Sequence, residues 1–88
     1  MAVYVDNYSA PFGRMRMSHM IADTRNELYA IVDRIGVQRK WIQKKGMYSE
    51  HFDVCESKRL LAIKAGAVPI STKELVRIQI ARRNLVLA

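Results

Sequence analysis

Residues 4–27, YVDNYSAPFGRMRMSHMIADTRNE, decide how this chain is read. The stretch begins in a short apolar run that ends at Asp6 and finishes in the opening turn of an amphipathic helix. Between them, residues 7–23 carry Pro11, Gly13, Arg14, Arg16, Met15, Met17, Met20, His19 and Asp23. Connections between elements usually run to ~4–6 residues, and longer ones tend to be functional or disordered. Disordered linkers are poor in apolar side chains, which this segment is not. Residues 7–23 are therefore expected to form an ordered functional loop, with the rest of the chain as its frame.

Outward from that segment, Ala2–Val5 is β-branched and aromatic, is followed by turn formers, and predicts a strand. On the other side, Thr24 and Glu27 have the spacing of a capping box. Leu28, Ile31, Val32 and Ile35 then recur at helical spacing, and Gly36 is placed to end the helix in a left-handed conformation. Val37–Gln43 predicts a second strand centred on Trp41 and Ile42, closed by a turn at Lys44, Lys45 and Gly46. Met47–Phe52 reads as irregular or briefly extended. Asp53 and Glu56 repeat the capping spacing and open a second helix to about Ala65, with Leu61, Ala62 and Ala65 facing inward.

Val68–Ile70 is a third strand candidate, placed at an edge or a strand end by Pro69. Ser71 and Glu74 give a third capping box and a helix over about 72–86. Its apolar residues fall into one face (Leu75, Ile78, Ala81, Leu85, Val86) and a narrower stripe (Val76, Ile80, Leu87), a pattern that suggests a subunit contact. The fold class expected is α/β: one domain, residues 1–88, in the order β-α-β-α-β-α, with a short parallel sheet and helices packed on it.

The chain has 88 residues, enough for a single core. A homo-oligomer would be a common way to add stability at this size. A formal charge of +7 favours an anionic partner such as nucleic acid, a nucleotide or an acidic membrane surface, and charge alone does not choose among them. Cys55 is the sole cysteine, which excludes an internal disulfide and a four-cysteine zinc site and suits a reducing cytosol. The N-terminus has no basic region followed by an apolar stretch, and no apolar run approaches ~20 residues. No secretory leader, spanning helix or membrane partner is expected, and the expected location is the cytoplasm.

Several blocks together, VYVD, APFGRMRMSHMIADT, the Trp41-Ile42-Gln43 step, HFDV and SKRLLAIKAGAV, resemble an uncharacterised family of small bacterial and phage proteins, catalogued as a domain of unknown function. The resemblance covers about residues 2–70 and leaves the final helix outside. It implies a small bacterial or phage-encoded protein and supplies no activity, substrate or cofactor.

Function must then come from the side chains. Asp6 stands at the carboxyl end of the first strand, where α/β sheets collect ligands, although such an acid also starts turns by bonding local amides. Arg14 and Arg16 beside Gly13 could grip a phosphate bidentately, with a helix N-terminus downstream. His19 and Asp23 are four apart and would share a face if the helix began near Met17. His51 and Asp53 form a second pair, with Asp53 also explained by capping. Phe12 and Trp41 could stack on a base, although core packing is the commoner role of aromatics.

Three functional readings follow. The first is a module that binds a small phosphate-bearing ligand, above all a nucleotide, without catalysis and without a required cofactor. Its ligand-binding set is Asp6, Phe12, Gly13, Arg14, Arg16, His19 and Trp41, and a phage protein that sequesters a host nucleotide signal is one setting for it. The second is a metal-dependent phosphodiesterase or nuclease with a divalent ion among Asp6, His19, Asp23, His51 and Asp53, and with His19, Asp23 and His51 as catalytic candidates. The third is a basic polynucleotide-binding or assembly protein.

Overall fold

The computed structural model describes residues 2–87, with the side chains of Ala10, Phe12, Val86 and Leu87 outside the described set. The expectations placed on the side chains of Phe12, Val86 and Leu87 therefore lie outside the described residues. The elements run β1 (Val3–Val5), β2 (Ala10–Phe12), β3 (Met15–Ala22), α1 (Arg25–Ile35), a 3-10 turn (Arg39–Trp41), β4 (Phe52–Cys55), α2 (Glu56–Lys64), β5 (Val68–Pro69) and α3 (Thr72–Leu87). The class is α/β, a small mixed sheet with three helices.

The long strand β3 organises the sheet, and it lies inside the segment expected to be a loop. Pro11 and Gly13 are turn formers, but the turn they make is a tight hairpin. Gly13, at φ 61, and Arg14 join β2 to β3. A two-residue hairpin with a positive φ at its first central position calls for glycine. Once β3 is paired by a hairpin, the sheet cannot be parallel throughout. β1, β2 and β4 all pair antiparallel with β3, and only β1 with β5 is parallel, which corrects the expected parallel sheet.

β1 and β2 share one edge of β3. Val5 pairs with Met20 and Ala10 pairs with Met17. Four residues, Asp6 to Ser9, thus oppose only Ser18 and His19, so the chain bulges away at this point. β4 occupies the other edge, with His19 opposite Asp53 and Met20 opposite Phe52. Alternation along a strand sends neighbouring side chains to opposite faces. Val5, Met20, Ala22, Phe52 and Val54 face a core closed by Leu28, Ile31, Val32 and Ile35 of α1 and Ala62 of α2. His19, Ile21 and Asp53 therefore face the other way.

The helix α1 is placed by local signals. Thr24 Oγ1 accepts from Glu27 N at 3.2 Å and donates to Glu27 Oε1 at 2.8 Å, and Gly36 closes the helix at φ 80. Thr24→Ala is expected to cost about 1 kcal/mol in urea unfolding by leaving that amide without its acceptor. α3 is capped in the same way by Ser71 and Glu74.

Other expectations are corrected. Within residues 37–43 the expected strand is replaced by a 3-10 turn over Arg39–Trp41, with Trp41 exposed, and only Gln43 pairs, in an isolated bridge with His51. Asp53 caps nothing: it belongs to β4, and α2 starts from Cys55 without a side-chain cap. In α2, Ala62 is buried while Leu61 is exposed. In α3, Leu75 is buried, Ile78 is half-buried and Leu85 is 78% exposed, so the predicted face is covered only over the first half of the helix.

α3 crosses on the His19 side of the sheet. Thr72, Leu75, Val76 and Gln79 line a cleft with His19 and His51, and the Arg82 guanidinium donates to the Ala22 carbonyl. Among the described residues no helix is long and apolar enough to cross a membrane.

Candidate functional site

The bulge after β1 turns Asp6 inward. Its side chain is fully buried. Asp6 Oδ1 accepts from the backbone amides of His19 (2.8 Å) and Tyr8 (3.2 Å), while the Asp6 amide donates to the His19 carbonyl at 2.9 Å. The carboxylate thus takes the place of a main-chain acceptor where the ladder is interrupted. Arg59 of α2 donates from Nε to the Asp6 carbonyl at 2.8 Å. Asp6 Oδ2 lies 2.8 Å from His19 Nδ1. A carboxylate without its proton only accepts, so Nδ1 carries a hydrogen, and the neutral imidazole has its lone pair on Nε2. Tyr8 stacks on the imidazole at 5.3 Å between centroids and helps fix its plane.

His51 is set by a second device. The loop from Gln43 to His51 is closed by paired backbone bonds of 2.8 Å and 3.1 Å between those two residues. Inside it, Lys44 adopts φ 56, and Glu50 Oε1 accepts from Gly46 N (3.0 Å) and Arg25 Nε (2.8 Å). His51 Nδ1 lies 2.7 Å from the Ser49 carbonyl. A carbonyl also only accepts, so His51 likewise carries a hydrogen on Nδ1, and its neutral form has the lone pair on Nε2.

His51 Nε2 sits 3.3 Å from Asp53 Oδ1. Two lone-pair-bearing atoms at this separation repel unless a positive charge lies between them, either a proton or a metal ion. His19 joins the pair: one ligand atom from each of His19, His51 and Asp53 lies within 4.8 Å of the others. Ligand atoms around a tetrahedral ion at ~2.0–2.2 Å are separated by roughly 3.3–3.6 Å, so the His51–Asp53 spacing already suits one. Two histidines whose far nitrogens are held by a carboxylate and a carbonyl, together with one free carboxylate, match the usual outer-shell support of a metal centre. Imidazole with carboxylate suits a first-row divalent ion such as zinc or manganese.

Asp6 is therefore a positioning group for His19. Asp6→Asn retains an acceptor for the two amides but loses the charged partner of Nδ1. It is expected to lower metal affinity about 10–100-fold with little change in melting temperature, measured by zinc titration and thermal unfolding.

The cleft around His19 and His51 holds about 260 Å³ and includes Lys44, which sequence reading assigned to a solvated basic turn. The other expected residues lie elsewhere. Asp23 is four residues along a strand from His19, ~13 Å at the usual rise, and accepts from Ala2 N at 2.7 Å. It also helps burial push the Tyr4 phenol above its ordinary value. Arg14 and Arg16 stand at the hairpin tip, and Arg16 donates to the Ser9 carbonyl. They line a separate hollow with Cys55, Glu56 and Ser57, so the structure does not join them to His19 in one cradle. In that hollow, the Ser57 hydroxyl beside Sγ and the Lys58 amide draw the Cys55 thiol below its ordinary range. Gly13 serves the hairpin turn. Trp41 borders a groove of its own with Met15, Met17 and Asp53.

Sequence reading gave no site role to Ser49, Arg59 or Gln79. For Ser49 and Arg59 the contribution is a main-chain carbonyl or a hydrogen bond across 53 positions, and neither leaves a residue pattern.

Residues 3–82 match the family described as "Protein of unknown function (DUF4031)", and the chain belongs to that family. The match extends past residue 70 into α3, further than the resemblance first noted. No curated protein and no solved structure matches the chain.

Proposed function

We propose that this protein is a divalent-metal-dependent phosphodiesterase acting on nucleic acid, with His19, His51 and Asp53 as the metal ligands. The observation that carries the reading is the convergence, within 4.8 Å, of a ring nitrogen from each of His19 and His51 and a carboxylate oxygen of Asp53, with each histidine's Nδ1 beside an acceptor. Three protein ligands leave a coordination position open, as catalytic sites require. An ion held there supplies charge to the phosphoryl oxygens and lowers the pKa of a water molecule.

The chain's own groups complete the chemistry. Lys44 borders the cleft and offers a cation to a non-bridging phosphate oxygen. The net charge of +7 draws a polyanion to the surface. In the reaction, water adds to phosphorus, one P–O ester bond breaks, and the departing oxygen takes a proton. A phosphodiester and water become a phosphomonoester and an alcohol.

The nucleotide-binding reading survives within this proposal with a different site, since the substrate is a nucleotide phosphodiester met at His19 and Lys44 rather than at Arg14 and Arg16. The test is cleavage of a labelled single-stranded oligonucleotide by metal-free protein supplied with zinc, manganese or magnesium, against an EDTA control. Turnover that needs the ion and vanishes in EDTA is expected. Turnover insensitive to EDTA would move the chemistry to His19 as a general base, and no turnover with any ion would overturn the proposal.

A further inference from the structure

One wall of the metal-ligand cluster opens onto a second feature. Asp53 also lines a groove of about 500 Å³ with Met15, Met17, Val37, Trp41 and Gln43. The volume falls in the ~300–1,000 Å³ range of small-molecule sites. Trp41 is 59% exposed and Met15 48% exposed, so two large apolar side chains are largely open to water. The Lys40 ammonium sits over the Trp41 ring, 5.1 Å from its centroid, which places a cation at the aromatic surface. Gln43 is tied by its backbone to His51, so the groove and the candidate metal centre are braced by one pair of hydrogen bonds.

A planar aromatic face, a flanking cation, adaptable thioethers and an amide able to donate and accept are what an unpaired base requires. Stacking binds its π-face, the amide reads its edge, and the cation meets the adjoining phosphate. A lipid surface would not call for Asp53 and Gln43 in the groove wall. We infer that this groove is a base-binding subsite for single-stranded nucleic acid, and that it holds a base next to the phosphodiester presented at His19, His51 and Asp53. The inference rests on the proposed function for the position of the phosphate, but base binding itself needs no metal.

Trp41 is the only tryptophan, so intrinsic fluorescence reports on the groove alone. The experiment titrates the whole chain in EDTA with oligothymidylate, oligouridylate, an abasic strand of equal length and charge, and a blunt duplex. Quenching by the two base-bearing strands is expected, with affinity about tenfold above the abasic strand and the duplex. The two base-bearing arms show whether the subsite separates DNA from RNA. Trp41→Ala, at an exposed position, is expected to keep the fold and metal binding while losing the preference for bases, followed by anisotropy of a labelled strand.

Equal affinity for abasic and base-bearing strands with unchanged fluorescence would overturn the inference, as would a Trp41→Ala variant that still prefers bases. Base-dependent quenching in a protein that takes up no metal would leave the subsite standing and remove the phosphodiesterase. Metal uptake with no base preference would do the reverse.

Discussion

His51→Ala is expected to abolish metal-dependent hydrolysis of a phosphodiester and to weaken zinc binding by more than about 100-fold. Loss of an outer-shell partner costs about 10–100-fold, and removal of a direct ligand costs more. His51 is the sharpest place to test this because its ring contributes little to the core. The loop that carries it is closed by main-chain bonds between Gln43 and His51, which alanine keeps. The side chain gives up its contact with the Ser49 carbonyl and its edge-on approach to His19 at 5.4 Å. Circular dichroism should show an intact fold, and the loss should fall on kcat/KM at saturating metal. A variant with wild-type turnover and wild-type zinc affinity would remove His51 from the site.

Phe52→Ala is expected to have the largest effect on stability, about 3–5 kcal/mol in urea unfolding. Phe52 is fully buried, is the largest such side chain among the described residues, and meets Tyr29 edge-on at 6.4 Å. Native domains of this kind are stable by only ~5–15 kcal/mol, so the variant should be partly unfolded at modest temperature. Function is coupled to this residue by position. β4 sends Phe52 and Val54 into the core and Asp53 to the opposite face, next to His51. Loosening Phe52 therefore frees the strand that aims Asp53, and zinc affinity should fall with stability. Excess zinc should recover part of the loss, since a ligand bound only by the folded state stabilises it.

The parts of this molecule that could be read in advance are those specified within a few residues. Thr24 with Glu27, the periodic Leu28, Ile31, Val32 and Ile35, and Gly36 each act over one or two helical turns, and α1 lies where they put it. Ser71 with Glu74 places the start of α3 for the same reason.

The misreading of residues 7–23 has a physical cause. In β3 the core-facing positions include Ser18, and the opposite face includes His19, so the apolar alternation that marks a half-buried strand is broken on both faces. What holds β3 is pairing on both edges, to β1 and β2 on one side and to β4 on the other, and pairing is not written in the strand itself. Asp53 was drawn toward a capping role by Glu56 three residues on, but the register with His19 across β3 and β4 prevailed.

The candidate site shows the same division. His51 and Asp53 were a visible pair because they are two apart, as side chains on one face of an extended segment must be. Their meeting with His19 is set by register across 34 positions, which no local pattern encodes. Arg14 and Arg16 looked like partners of His19 because they are near in sequence. Along a strand that nearness separates them, and the hairpin carries both to its tip.

The most direct measurement of the central claim is a calorimetric titration of metal-free protein with zinc, run on wild type and on the His19→Ala and His51→Ala variants at neutral pH. One ion per chain is expected for wild type, with binding lost in both variants. Absence of binding in wild type, or one ion bound with unchanged affinity in both variants, would contradict a metal centre at His19, His51 and Asp53.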